Sequence, residues 1–260
     1  VLFLLRFTLL LLDFPVHILL YFISINGCFG GLNFFSSVTR RKTHRFIQNA
    51  ESSNVIEAGK TLYKTIRGNW RSEYFGNDHP IVLELACGKG EYTVGLGQAF
   101  PTTNFIGVDI KGDRIARGSK AAQLLGLSNV AFLRTDINFL QEFFAAGEVA
   151  EIWITFPDPQ PRPKQEKHRL THPRFLAMYK QLLTPGGTLH LKTDNPELFA
   201  YSLEQVKESG AIDLQFTTDL YNSPLNEIHM GIKTKYEELF YNKGFTINYL
   251  QCKIGCDSRM

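Results

Sequence analysis

Ile81-Val82-Leu83-Glu84-Leu85-Ala86-Cys87-Gly88-Lys89-Gly90-Glu91 is the stretch from which the rest of the chain can be read. Its first five residues form a short apolar run with one embedded acid, which fits a strand buried on both faces. In Ala86 to Gly90, two glycines let the backbone bend tightly and approach a ligand that a Cβ would exclude. Glu91 to Ala99 then reads as helix. The same alternation continues outward: strand Asn104–Val108 and helix Gly112–Leu125, strand Val130–Arg134 and helix Asn138–Ala145, strand Ala150–Phe156 and helix His172–Leu183. Strand Thr188–Lys192 and helix Glu197–Glu208 follow, then strand Ile212–Thr217, a short helix Lys233–Tyr241 and a closing strand Phe245–Lys253. Short buried strands alternating with helices predict an α/β fold with an open, mostly parallel sheet and helices on both faces.

Ligands of such sheets bind at the carboxyl ends of the strands, near the switch in strand order. Glu84, Asp109, Asp136, Asp158 and Asp194 each stand at or just past such an end. Taken singly, each reads as a helix N-cap, Asp136 and Asp194 above all. One acid per strand end across five strands reads instead as a site. The carboxylate of Asp109 can accept from both hydroxyls of a ribose, and Asp136 is placed to meet an adenine amino group. A dinucleotide fingerprint needs a third glycine, and Thr93 occupies that position. This disfavours an NAD-dependent oxidoreductase.

Ile154 to Leu170 carries the other signal. An apolar run ends in Pro157-Asp158-Pro159, and five basic side chains against one acid follow over residues 160–169. Prolines at 157, 159, 161 and 163 exclude helix and a central strand, so the stretch reads as a strand end running into an extended, mobile loop. A carboxylate followed by a cationic loop suits a polyanion held beside a reaction centre. Upstream, residues 38–79 form a basic extension, with Arg40 to Arg45 as a flexible arm for a phosphate backbone and Ala58–Asn69 as a short helix. Trp70 and Phe75 are expected to pack on the main domain, residues 80–254, and residues 255–260 form a tail.

The 260 residues carry a net charge of +3, too small by itself to imply nucleic acid. Four cysteines without CxxC pairs or neighbouring histidines predict neither a zinc site nor a disulfide scaffold, and point to a reducing, cytoplasmic compartment. Residues 1–37 are very apolar, but Arg6, Asp13 and Pro15 interrupt every run of membrane-spanning length. The segment also lacks the basic start and cleavage site of a signal peptide. It is read as lying upstream of the true start, near Val38, with no membrane association unless residues 1–36 are genuine.

With these features assembled, residues from about Thr43 to Ile254 resemble the bacterial tRNA (guanine-N7-)-methyltransferase family. The resemblance rests on Leu83 to Glu91, Phe105-Ile106-Gly107-Val108-Asp109, Phe156-Pro157-Asp158-Pro159, His190-Leu191-Lys192-Thr193-Asp194-Asn195 and Thr234-Lys235-Tyr236-Glu237. The Gly-rich loop is shared by all class I methyltransferases; the Pro-Asp-Pro block and the late Thr-Lys-x-Glu are specific to this family. The resemblance implies a Rossmann-like sheet of seven strands with an antiparallel last strand. It also implies S-adenosyl-L-methionine as cofactor, tRNA as partner, no metal, and methylation of guanine N7 at position 46 in the variable loop by a monomer or homodimer. Position by position, Glu84, Gly88, Gly90, Asp109, Asp136 and Asp158 would line the cofactor site, with Asp158 nearest the chemistry. Arg162, Asp194, Thr234, Lys235, Tyr236 and Glu237 would hold the guanine nucleotide, and Lys164, Lys167, His168 and Arg169 the RNA.

The implied chemistry is consistent with the residues. Guanine N7 carries an exposed lone pair, so its attack on a sulfonium methyl needs no general base, only positioning and stabilisation of the charge that develops. Enzymes that methylate exocyclic amines carry Asn-Pro-Pro-Tyr after the fourth strand, and Pro-Asp-Pro lacks that aromatic. Departures from the family pattern bear on RNA contacts: Gln160 replaces the usual Trp and Arg162 the usual Lys, and Pro161 and Pro163 thin the basic run; in the cofactor loop Ala86 replaces the usual first glycine. The alternatives are a non-catalytic RNA-binding module and a methyltransferase with another substrate.

Overall fold

The computed structural model describes residues 43–229 and 231–254. Among the described residues eight strands form one sheet: β1 Val55–Ile56, β2 Ile81–Leu85, β3 Asn104–Asp109, β4 Val130–Arg134, β5 Val149–Thr155, β6 Leu183–Thr193, β7 Ile212–Thr217 and β8 Asn248–Lys253. Their spatial order is β1-β4-β3-β2-β5-β6-β8-β7. Strands β1 to β6 pair in parallel, while β8 lies between β6 and β7 and runs antiparallel to both. The order reverses between β2 and β5, so the adjacent ends of these two strands are where a ligand crevice opens.

Side chains alternate between the two sheet faces with a period of two, and each face has its own core. Leu83, Leu85, Ile106, Val108, Ile152 and Ile154 belong to one cluster. Val82, Phe105, Val130, Phe132 and Trp153 belong to the other. Helices connect the strands: α1 over residues 43–51, α2 Leu62–Thr65, α3 Glu91–Ala99, α4 Gly112–Leu124, α5 Pro173–Leu182, α6 Pro196–Glu208 and α7 Lys235–Tyr241.

The structure departs from the sequence reading in five places. The described residues hold eight strands rather than seven, because the two-residue β1 pairs with Phe132 and Leu133 at the sheet edge and is too short to show a pattern. The helix expected over Ala58–Asn69 shrinks to Leu62–Thr65, between Gly59 and Gly68 at φ 100° and 78°. Beyond it, Trp70–Phe75 forms a π-helical turn that buries Trp70. The Trp70 ring stacks on Phe144 at 5.3 Å, and its indole N–H donates to the Phe143 carbonyl at 2.8 Å. The helix expected over Asn138–Ala145 is a 3-10 turn, Ile137–Glu142, after which the consecutive Phe143 and Phe144 both turn into the core. The extended loop after Pro159 instead contains a 3-10 turn, Pro163–His168.

The fifth departure concerns the basic arm. Arg40 to Lys42 lie outside the described residues, but the chain from residue 43 is helical, with Arg45 3.9 Å from Asp113. Asn49 Nδ2 donates to the Gly112 carbonyl at 2.7 Å, and Lys60 Nζ donates to the carbonyls of Asn49, Ser52 and Val55. Much of this extension therefore serves to close the sheet edge. Cys87 and Cys252 are free and buried, and Cys28 and Cys256 lie outside the described residues. Among the described residues no helix is long and apolar enough to cross a membrane.

Candidate active site

A cleft of about 750 Å³ opens at the carboxyl ends of β2, β3, β5 and β6. The Gly-rich turn forms one wall. Ala86, Gly88 and Gly90 all take left-handed backbone conformations, at φ 57°, 57° and 68°. At Gly90 a Cβ would lie 2.4 Å from the Phe132 ring, so glycine is required by packing as well as by φ. Ala86 bears a left-handed strain of about 1–2 kcal/mol that a glycine would not.

Asp109 is buried at the end of β3. Its carboxylate accepts the Gly88 N–H at 2.9 Å and the Lys111 N–H at 2.8 Å, tying together two loops that border the cleft. An ionised carboxylate has about four acceptor positions, so Asp109 keeps capacity for a ligand's hydroxyls. Asp136 plays a different part. It caps the 3-10 turn after β4, accepting from the Asn138 backbone N–H at 2.9 Å, and it is not among the cleft-lining residues.

Glu84 faces the floor of the cleft but is only 3 % exposed. One oxygen accepts the backbone N–H of Thr93 at 2.8 Å and also the Thr93 hydroxyl; the other accepts the Thr155 hydroxyl at 2.6 Å. Burial pushes its carboxyl up to about 7, against hydrogen bonds that pull the other way. Glu84 thus joins the first turn of α3 to the end of β5. Sequence reasoning missed Thr93 and Thr155 as partners, and noted Thr93 only as an absent glycine. An acid embedded in a fully buried strand was the available signal, since such a group must find donors.

Across the cleft, β5 ends at Thr155 and the chain turns sharply. Phe156 is left-handed at φ 48°, with its N–H donating to the Lys192 carbonyl at 2.8 Å. Pro157 is buried, and Asp158 emerges exposed on the cleft wall. Left-handed non-glycine residues thus follow both β2 and β5, the pair of strands that open the crevice. Such strain persists where the surrounding structure over-determines it, commonly at functional sites.

The basic stretch after Pro-Asp-Pro is not a uniform mobile arm. Arg162, Lys164, Lys167 and His168 are exposed on and beside the 3-10 turn, outside the cleft lining. Arg169 is held in place: its guanidinium donates to the Gln160 carbonyl at 3.3 Å and lies 4.4 Å over the Tyr201 ring.

The segment before and within α7 closes the cleft from above β6. Thr234 forms a reciprocal capping box with Glu237. The backbone N–H of Lys235 donates to Glu91 at 2.8 Å, and the Tyr236 hydroxyl donates to Asp194 at 3.3 Å. Thr234, Tyr236 and Asp194 line the cleft with Asp158. Burial and the carboxylates of Asp194 and Asp158 raise the Tyr236 phenol, so it stays a hydrogen-bond donor at neutral pH. Glu237, expected at the nucleotide, is fully buried beneath. Its carboxylate lies 2.6 Å from the Lys192 ammonium, both side chains being 0 % exposed, and accepts the Tyr221 hydroxyl. Lys192 itself sits 4.9 Å over the Tyr92 ring. The structure therefore gathers Glu84, Gly88, Asp109, Asp158, Asp194, Thr234 and Tyr236 around one cleft and leaves Gly90, Asp136, Lys235, Glu237 and the basic turn outside its lining. Among the described residues no group of histidine, cysteine and carboxylate side chains is arranged to hold a metal ion.

A family model described as a putative methyltransferase matches residues 78–250. A tRNA (guanine-N(7)-)-methyltransferase of Cytophaga hutchinsonii is 47% identical over 216 residues, covering 82% of this chain and 97% of its own. The enzyme of the same name from Porphyromonas gingivalis is 54% identical over 192 residues, covering 73% and 78%. Among solved structures, the 16S rRNA methyltransferase KamB superposes with a TM-score of 0.54 at 17% identity over 73% of this chain and 92% of that one, a likeness of fold.

Proposed function

Because this chain belongs to the tRNA (guanine-N(7)-)-methyltransferase family, we propose that it transfers a methyl group from S-adenosyl-L-methionine to guanine N7 of tRNA, at position 46 in the variable loop. The observation that carries the reading is the exposed Asp158 carboxylate, fixed by a left-handed Phe156 and a buried Pro157, on the same cleft as the Gly-rich turn and Asp109.

The residues present suit the cofactor. The left-handed Gly88 leaves open backbone beside the cleft, and Asp109 has acceptor capacity for ribose hydroxyls. Asp109, Asp158 and Asp194 give the cleft an acidic lining suited to a cationic ligand. The cofactor supplies an electrophilic methyl on a sulfonium. Glu84 keeps the Gly-rich turn and the end of β5 in fixed relation, which sets the distance between cofactor wall and acceptor wall. Asp158 stabilises the positive charge that appears on the purine as N7 is alkylated, and it need move no proton. Asp194 accepts from guanine N–H groups, with Tyr236 holding its carboxylate in place. Arg162, Lys164, Lys167 and His168 meet the RNA backbone. Cytoplasmic location fits this substrate and the free buried cysteines. Residues 80–254 act as the catalytic domain, with residues 43–79 packed along it.

Methyl transfer from labelled cofactor to unmodified tRNA, followed by strand cleavage at N7-methylguanosine, tests the proposal. The expected product is a single cleavage in the variable loop. Label at another base, or none, would overturn it.

A further inference from the structure

A second hollow, of about 380 Å³, borders the first and shares Lys89 and Glu91 with it. Three cations from distant parts of the sequence surround it: Lys89 of the Gly-rich turn, Arg117 of α4 and Lys235 at the start of α7. All three are exposed. Two packing features bring them together. Gly118 lets α4 close against the turn, since a Cβ there would lie 2.7 Å from the Lys89 carbonyl. The Glu91 carboxylate holds the Lys235 backbone N–H at 2.8 Å, so the acid in the hollow is already engaged by main chain.

Many basic side chains elsewhere are engaged. Arg134 pairs with Glu57, Lys192 with Glu237 and Lys253 with Asp213, while Arg67, Arg71 and Arg174 donate to backbone carbonyls. Among the described residues, Lys89, Arg117 and Lys235 have no ion pair or side-chain hydrogen bond. Three like charges around one hollow repel one another weakly in water, and a polyanion reverses the sign by releasing its counterions. Lys120, one turn beyond Arg117 and exposed, extends the surface along α4. In the sheet, β3 and β5 flank β2 on opposite sides. The α4 cations, which follow β3, therefore stand on the other side of the crevice from the basic turn that follows β5.

We propose that Lys89, Arg117 and Lys235 form a phosphate-binding surface for the substrate RNA, so that its backbone is gripped on both sides of the methyl-transfer cleft. The inference rests on the functional reading above for the identity of the polyanion. Its test is Arg117→Glu, with Arg117→Lys as the charge-conserving control, because Arg117 lines neither the cofactor cleft nor the core.

Binding of unmodified tRNA would be measured over a salt series, apart from turnover, alongside cofactor affinity and thermal stability. Arg117→Glu is expected to weaken RNA binding by about five- to tenfold and to lower the slope of log K against log salt by roughly 0.7–0.9, the loss of one phosphate contact. The KM for tRNA should rise with kcat and cofactor affinity within about twofold, and Arg117→Lys should restore the salt slope. An Arg117→Glu protein with wild-type RNA affinity and salt slope would overturn the inference. A wild-type enzyme that binds tRNA with the expected salt dependence but leaves guanine N7 unmethylated would overturn the functional reading and leave the surface standing.

Discussion

Replacing Glu237 with glutamine separates two roles for the Thr234–Glu237 block. The family resemblance puts Glu237 at the guanine nucleotide, whereas the structure buries it against Lys192 at 2.6 Å with no exposure of either side chain. Glutamine keeps the shape, and its Oε1 can still accept from Tyr221, but the amide nitrogen that replaces the other oxygen cannot accept from the Thr234 N–H, so the change removes the charge and one hydrogen bond of the capping box. Breaking one partner of a buried pair costs about 3–5 kcal/mol, because the other charge is left without compensation. For a chain of this size that lowers Tm by roughly 6–20 °C.

The pH dependence has a definite sign. Burial lowers the Lys192 ammonium, and Glu237 is the first of the influences that raise it again. Without Glu237 the folded-state value falls further below 10.5, the unfolded chain binds the proton more tightly, and stability rises with pH. The gap between wild type and variant should therefore narrow between pH 7 and about 10. Thermal unfolding across that range, read beside methyl-transfer kinetics, is the assay. Lys192→Met combined with Glu237→Leu should recover most of the loss, since a buried pair is often replaceable by apolar side chains of similar volume. A Glu237→Gln protein that melts within about 1 °C of wild type while its KM for tRNA rises would refute this reasoning and return Glu237 to the substrate.

Three other substitutions address the cleft. Asp158→Ala should cost at least about 100-fold in turnover while changing stability by no more than about 0.5 kcal/mol, since the side chain is exposed; near-normal turnover would contradict its role. Glu84 has its carboxyl raised from 4.5 to about 7, so the folded state holds a proton that the unfolded state releases, and this contribution is lost as pH rises through about 7. Denaturant midpoints of Glu84→Gln between pH 5 and 7 should lack that decline, and parallel profiles would sink the assignment. Ala86→Gly should raise stability by about 1 kcal/mol by relieving the left-handed alanine; a loss of stability would mean that the strain is absent.

Local residue pattern was enough to set the alternation of elements, and with it the sheet. The boundaries of Ile81–Leu85, Glu91–Ala99 and Val130–Arg134 were readable from composition and period alone, because short buried strands and helices impose those patterns locally, and those of the exposed edge strand Ile212–Thr217 were readable as well. It also placed one acid at each strand end and marked Pro157-Asp158-Pro159, since turn chemistry is a property of neighbouring residues. What each acid does was decided only in three dimensions. Asp136 turns to its own backbone, Glu84 is claimed by Thr93 and Thr155 from separate elements, and Glu237 is claimed by Lys192, 45 positions earlier. Such partners are set by which elements pack together, and no local pattern encodes that. The same holds for Arg169, spent on Gln160 and Tyr201, and for Arg117, free beside Lys89 because Gly118 lets α4 approach the turn. Charge could be counted along the chain, but whether a charge is satisfied depends on the fold.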